Sequence, residues 1–332
     1  MEYIDAKTIL TKCKSTEWFG TDYNMNIYRG CCHGCIYCDS RSECYNIDNF
    51  DKVRAKKDVL PLLRDELKRK VRSGVIGTGA MSDPYNPFEK ELQLTRHSLE
   101  LIDAFNFGIS IVTKSALITR DIDILQNIKE HSPVICKLTI TAADDSLCRK
   151  IEPHVSLSSE RFEAMHTLSN HGIFSGVVLM PVLPFIEDNE ENILNIIHKT
   201  AECGGKFIYP SFGVTLRQNQ REYFFDKLDV IFPESNLREK YIRYYGNSYK
   251  CTVQNIGRLW KIFESECLKY GIIYKMKDII SAYKSGYEMS QLSFFYQTRT
   301  VELSLFFFVN STERLLYLNQ YNVIIIPEVK ST

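Results

Sequence analysis

The sequence predicts an α/β fold: an open or partial barrel of about six βα units over residues 20–230, followed by an extension over 231–332 that is mostly helical and then irregular or strand-like. Two observations predict it. Short apolar runs alternate with helical stretches of roughly ten to sixteen residues, the signature of βαβ units and a parallel sheet. Val, Ile and Leu fill those runs almost continuously, as in strands covered on both faces.

The elements follow in order. A strand is expected near Tyr23–Tyr28. Arg54–Arg72 reads as a charged helix, with Val59, Leu62, Leu63, Leu67 and Val71 at helical spacing. It precedes the apolar stretch Val75–Ala80. Helix Glu91–Phe105 leads to GISIVT (108–113), and helix Asp121–Glu130 to VICKLTIT (134–141). Helix Ser158–Asn170 leads to IFSGVVLMPV (173–182), and helix Asp188–Glu202 to KFIYPSF (206–212). Ser158-Ser159-Glu160 and Glu187-Asp188-Asn189 look like helix starts, and Gly172, Gly204 and Gly205 like stops. After 232 the alternation fails. Residues 234–290 read mostly as helix, and 292–332 as aromatic and β-branched runs without clear caps. A doubly wound open sheet has the same periodicity and competes with the barrel.

Composition narrows the class. Hydrophobic and charged fractions of 44% and 25% are those of a globular protein, and the formal net charge of zero neither suggests nor excludes nucleic acid. The N-terminal stretch is polar and no run has the length of a membrane span, so the expectation is a cytoplasmic protein with no membrane partner. There thiols stay reduced, and the 11 cysteines point to metal, catalysis or buried thiols rather than disulfides.

Four cysteines fall in IYRGCCHGCIYCDS (27–40). Cys31, Cys35 and Cys38 give C-x₃-C-x₂-C; Cys32, Cys35 and Cys38 give C-x₂-C-x₂-C. The second register opens like a ferredoxin run, but Ser42 stands where the fourth cysteine belongs. Zinc is the alternative, with Cys32, Cys35, Cys38 and either His33 or Cys44 as ligands of a binding module. An iron–sulfur electron-transfer protein is a third reading. Three cysteines on a 4Fe–4S cluster leave one iron open, and open positions are where metal chemistry happens.

The run Cys31-x₃-Cys35-Ile36-Tyr37-Cys38 resembles the signature of the radical S-adenosylmethionine superfamily. NIYRGCCHGCIYCDSR (26–41) is similar to its spore photoproduct lyase-like group, as are SDPYNPFEKELQLTR (82–96), VTKSALITRDIDIL (112–125), RKIEP (149–153) and MPVLPFIED (180–188). The resemblance implies a partial (β/α)6 TIM-type barrel. It implies an enzyme whose 4Fe–4S cluster reductively cleaves S-adenosylmethionine to a 5′-deoxyadenosyl radical, which abstracts hydrogen from substrate. It implies Cys31, Cys35 and Cys38 as iron ligands with Cys32 spare, Tyr37 near the adenine, and Ser82 and Asp83 by the cofactor's amino group. A reductant such as flavodoxin or ferredoxin is the implied partner.

Further candidates follow from position. Lys114 and Ser115 end GISIVT, where a lysine can pair with the cofactor carboxylate. Thr139 and Thr141 share one face of their strand. Arg149 and Glu152 are candidates for a buried pair, with a surface helix end as the alternative. Cys136, Cys148, Cys203, Cys251 and Cys267 are unselected candidates for a hydrogen-atom relay. A nucleic-acid lesion is a candidate substrate: helix 54–72 holds eight basic and three acidic residues, and YIRYYGNSYK (241–250) mixes aromatics with positive charge. An outer solvated helix and packed tyrosines are the commoner origins of such patterns. Asn310-Ser311-Thr312 fits a sequon without meaning in a cytosolic chain.

Overall fold

The computed structural model describes residues 1–70, 72–287, 317–319 and 322–324. Residues Met1–Tyr287 form one compact unit. Its strands are β1 (Glu2–Ile4), β2 (Leu10–Lys12), β3 (Tyr23–Met25), β4 (Tyr28–Arg29), β5 (Arg54–Lys56), β6 (Val75–Thr78), β7 (Gly108–Thr113), β8 (Val134–Thr139), β9 (Ser175–Leu179), β10 (Phe207–Pro210), β11 (Gly213–Thr215) and β12 (Lys250–Thr252). Its helices are α1 (Val59–Lys68), α2 (Glu89–Leu92), α3 (Leu94–Ala104), α4 (Ile122–Lys129), α5 (Asp145–Ile151), α6 (Ser158–Asn170), α7 (Glu190–Glu202), α8 (Gln220–Ile231), α9 (Leu237–Tyr245), α10 (Ile256–Lys269) and α11 (276–287). The second unit, Glu288–Thr332, is described only as an antiparallel pair, Tyr317–Asn319 with Asn322–Ile324. Val71, Asn310 and most of 292–332 lie outside the described residues.

The main sheet has the order β10-β9-β8-β7-β6-β3-β2. From β3 to β10 all neighbours are parallel, and β2 adds an antiparallel edge. Each new parallel strand lies beside the previous one, with no reversal. A doubly wound sheet reverses its strand order at a switch point, so that competitor is excluded.

Alternation along the strands divides the sheet's faces. Ile109, Ile111, Cys136, Leu138, Val177, Leu179 and Ile208 pack into the large core with Leu63, Leu99, Leu125, Met165 and Ile196 of the helices. Val75, Ile135, Val178 and Phe207 turn the other way, toward Phe19 and the α11 residues Ile279 and Tyr283. Phe19 precedes β3, yet its ring lies 5.5 Å from Tyr209 and 6.1 Å from Phe207 on β10. The Tyr283 hydroxyl donates to Phe19 O at 2.7 Å.

The structure corrects several expectations. Arg54–Lys56 is not the start of a helix: β5 pairs with β1 and β4, and the helix begins at Val59. The helix expected over 91–105 is two, broken at Gln93, which has a φ of +49°. The largely helical reading of 234–290 misses β12, which pairs with β11. Residues 231–287 fold with the first unit; His198 of α7 meets Glu266 of α10 at 2.8 Å. Among the described residues no helix is long and apolar enough to cross a membrane.

One glycine governs the approach to the candidate site. Gly79, just past β6, has a φ of +95°, and a Cβ there would lie 1.9 Å from Val112 O. Gly79→Ala is therefore expected to destabilise the fold by more than about 1 kcal/mol. Chemical denaturation checks it; an unchanged midpoint would contradict the close approach.

Candidate active site

The cysteine loop follows β4 and is tied to several distant segments. Cys31 N donates to Phe50 O at 2.8 Å, Ile36 N to Ile151 O at 3.0 Å, and the Gln220 amide to Tyr37 O at 3.2 Å. Gly34 turns the chain inside the loop with a φ of +68°, and a Cβ there would sit 3.1 Å from the Pro153 ring. Cys35 is buried, Cys31, Cys32 and Cys38 are half-buried, and all are free thiols. Cys32 packs against the large core between sheet and helices, whereas Cys35 and Cys38 join Tyr37 in a second apolar cluster with Leu183 and Phe224. Burial pushes the Cys35 thiol well up, against the pull of Lys114.

Beneath the loop lies a buried polar network. The Tyr37 hydroxyl donates to Glu152 Oε1, and Arg161 Nη2 donates to Glu152 Oε2 at 2.6 Å. Arg161 also donates to Thr139 O. Arg161 and Glu152 are both buried. Glu152 therefore does have a buried arginine partner, but it is Arg161 on α6; Arg149 is exposed. Burial alone would raise the Glu152 carboxyl, but Arg161, Lys114 and the Tyr37 hydroxyl outweigh it and hold it below its ordinary value of 4.5.

The ends of β6 and β7 meet at Asp83. Its Oδ1 accepts from Tyr85 N at 2.9 Å and Thr113 Oγ1 at 2.6 Å, and its Oδ2 accepts from Lys114 N at 2.8 Å. Ser82 Oγ donates to Gly30 O at 2.5 Å, joining this turn to the cysteine loop. Ser115 accepts from Leu117 N at 3.3 Å and caps the short turn after β7. The side chains of Ser82, Asp83 and Ser115 are thus engaged within the protein.

A cavity of about 410 Å³ opens beside the loop. Tyr37, Cys38, Lys114 and Thr139 line it, as do Trp18 and Lys137, which the sequence reading passed over. The Lys114 ammonium lies 5.8 Å from the Tyr37 ring centre. Tyr45 and Asp39 form another wall, backed by Arg217, whose Nε lies 3.1 Å from Asp39 and whose Nη2 donates to Tyr249 at 2.8 Å. Thr141 and the five relay cysteines do not line the cavity. Among the described residues no three His, Cys, Asp or Glu side chains converge to hold a single ion. A zinc ion needs such convergence, with sulfurs about 2.3 Å from one centre; a 4Fe–4S cluster takes each thiolate on a different iron. The donor chemistry, three thiols on one loop beside a cavity, fits the cluster.

A cysteine loop beside a cavity, with the ends of β6, β7 and β8 contributing to its wall, defines a cofactor site of the kind α/β enzymes build. The chain belongs to the radical S-adenosylmethionine superfamily, whose family model matches residues 25–197. It is an enzyme, and its cofactors are a 4Fe–4S cluster and S-adenosylmethionine. An uncharacterized protein of Mycobacterium tuberculosis is 29% identical over 256 residues, covering 74% of this chain and 75% of that one. An uncharacterized protein of Methanocaldococcus jannaschii is 35% identical over 173 residues, covering 52% of this chain and 64% of that one. A spore photoproduct lyase variant with bound AdoMet and dinucleoside spore photoproduct shares the fold at TM-score 0.61 and 14% identity, covering 82% of this chain and 81% of that one.

The buried carboxylate yields a test. Glu152's folded pKa lies below its unfolded value of 4.5, so its stabilising contribution is full above that pH and lost as pH falls through the folded value. Glu152→Gln is expected to destabilise the protein at pH 7 by about 3–5 kcal/mol, because Arg161 is left buried without its counter-charge. The variant's stability should also fall less steeply than that of wild type as pH drops below 4.5. Urea unfolding across this range checks both; parallel profiles would contradict the assignment.

Proposed function

We propose that Cys31, Cys35 and Cys38 hold the 4Fe–4S cluster and that S-adenosylmethionine occupies the cavity beside Cys38. The observation that carries this reading is the juxtaposition of Cys38, Tyr37 and Lys114 around one cavity by the strand ends. When bound, the two cofactors supply a 5′-deoxyadenosyl radical that abstracts hydrogen from substrate. The chain supplies position and shielding. Lys114 is placed to bind the cofactor's carboxylate. Tyr37, tethered to Glu152, offers a ring face to the adenine. Ser82 and Asp83 act as positioning residues: Asp83 fixes the Lys114 backbone and Ser82 ties that turn to the loop. Cys32 is the spare thiol. Curvature of the parallel sheet into a partial barrel is supported by the ring contacts from Phe19 to β10.

Radical S-adenosylmethionine enzymes need an electron donor; a flavodoxin or ferredoxin is the proposed one here. For the substrate, a nucleic-acid lesion is a second reading. It is favoured by Arg217, which lies over the Tyr45 and Tyr249 rings at 5.8 and 4.9 Å beside the cavity wall. The 241–250 segment contributes less to it, because Tyr241 is buried and donates to Pro184 O at 2.9 Å.

Anaerobic reconstitution is expected to load about four irons per chain, and dithionite with S-adenosylmethionine to yield 5′-deoxyadenosine. Cys31→Ala should lose the cluster and Cys32→Ala keep it; the reverse pattern would overturn the ligand assignment. Lys114→Ala should keep its iron but bind S-adenosylmethionine about tenfold or more weakly. Equilibrium binding checks this, and unchanged affinity would remove Lys114 from the cofactor site.

A further inference from the structure

Lys137 stands in the middle of β8, in a run otherwise filled by Val, Ile, Cys and Leu. It is 3% exposed. Strand alternation places it with Ile135 and Thr139 on the sheet face turned toward Phe19 and α11, away from the large core. Its ammonium reaches Ser110 Oγ at 2.5 Å on the neighbouring strand β7 and lies 4.4 Å from the centre of the Phe19 ring. Among the described residues no carboxylate pairs with it. The same side chain lines the cavity that Tyr37, Cys38 and Lys114 border.

This arrangement is costly. An ammonium offers three donors, and here a single hydroxyl and a ring face meet them. A buried charge without a counter-charge is destabilising, and an apolar side chain of similar volume would suit the position better. Burial accordingly pulls the Lys137 pKa down to about 7. Lys114, the proposed partner of the cofactor's carboxylate, shares the cavity and has the Glu152 and Asp83 carboxylates of the protein near it. Among the described residues, the cavity thus contains one cation with protein carboxylates near it and another with none.

We propose that Lys137 makes its part of the cavity wall an anion-accepting subsite for the substrate, a place for a carboxylate or phosphate group. The ligand supplies the counter-charge that the fold omits, and Ser110, behind the cavity wall, accepts from the ammonium and holds it in place. An anion held there by Lys137, with S-adenosylmethionine at the Cys38 and Lys114 side, leaves the two ligands in one cavity. The inference rests on the cofactor reading above and adds the chemical class of the substrate's anchor.

The test uses the reconstituted holoenzyme saturated with S-adenosylmethionine, so that Lys114 is occupied. Inorganic phosphate and acetate are titrated separately at constant ionic strength, balanced with chloride, and the thermal midpoint is followed. One or both anions should raise the wild-type midpoint saturably. Lys137→Met should shift the half-saturating concentration upward by about tenfold or more, with Lys137→Arg close to wild type. A response to phosphate alone assigns a phosphoryl group, and a response to acetate assigns a carboxylate. Without added anion, Lys137→Met should unfold at or above the wild-type midpoint; a lower midpoint would make Lys137 a structural group and overturn the proposal. So would equal responses in wild type and Lys137→Met, or no wild-type response to either anion. Iron content and S-adenosylmethionine affinity are measured on the same samples. Their loss in wild type would sink the cofactor reading, whereas intact values with no anion response sink this inference alone.

Discussion

The buried contact between Tyr37, Glu152 and Arg161 is the constraint on which the candidate site depends. Glu152 follows α5, Arg161 lies on α6, and Tyr37 lies on the cysteine loop. A carboxylate in this apolar setting is tolerable only with its guanidinium and its phenol in place. The pair therefore does two things. It satisfies charges that α5 and α6 carry into the interior, and it fixes the one loop whose cysteines are the proposed iron ligands. Ile36 N to Ile151 O repeats that attachment through the backbone. The loop has little regular structure of its own, so its shape comes from these tethers.

A second hub acts at the strand ends. Asp83 takes hydrogen bonds from the turn after β6 and from both Thr113 and Lys114 at the end of β7. Gly79 allows the backbones after β6 and within β7 to come close enough for this. The parallel sheet thus delivers a lysine to the cavity wall at a position set by a carboxylate that does not itself line the cavity. On the sheet face beyond it, Phe19, Phe207 and Tyr283 provide an apolar setting in which Lys137 is the exception.

Much of this was legible in the sequence. The β7 run and the α6 limits are as the pattern indicates, because a buried parallel strand must be apolar throughout and the first turn of α6 carries Glu160, which accepts from Leu157 N. The cysteine spacing marks the loop without help from tertiary structure. What stayed hidden depends on side chains meeting across the chain. Arg161 sits in a helix with ordinary charged neighbours, so nothing local identifies it as the partner of Glu152. The three-residue strands β1, β2, β5 and β12 are too short to show a period. Ser82 and Asp83 sit in a turn that composition alone explains, and only the structure shows how Asp83 is spent. Lys137 did leave a signal, a lone lysine inside an apolar strand, and that anomaly is the kind of mark a functional position leaves.

The central claim is that S-adenosylmethionine lies in the cavity bordered by Cys38, in contact with a cluster held by Cys31, Cys35 and Cys38. Electron paramagnetic resonance of the dithionite-reduced, reconstituted protein, with and without S-adenosylmethionine, tests it most directly. The account predicts that the cofactor changes the g values of the cluster signal, and that the change is lost in Lys114→Ala at the same cofactor concentration. An intact cluster whose spectrum is indifferent to S-adenosylmethionine would contradict it.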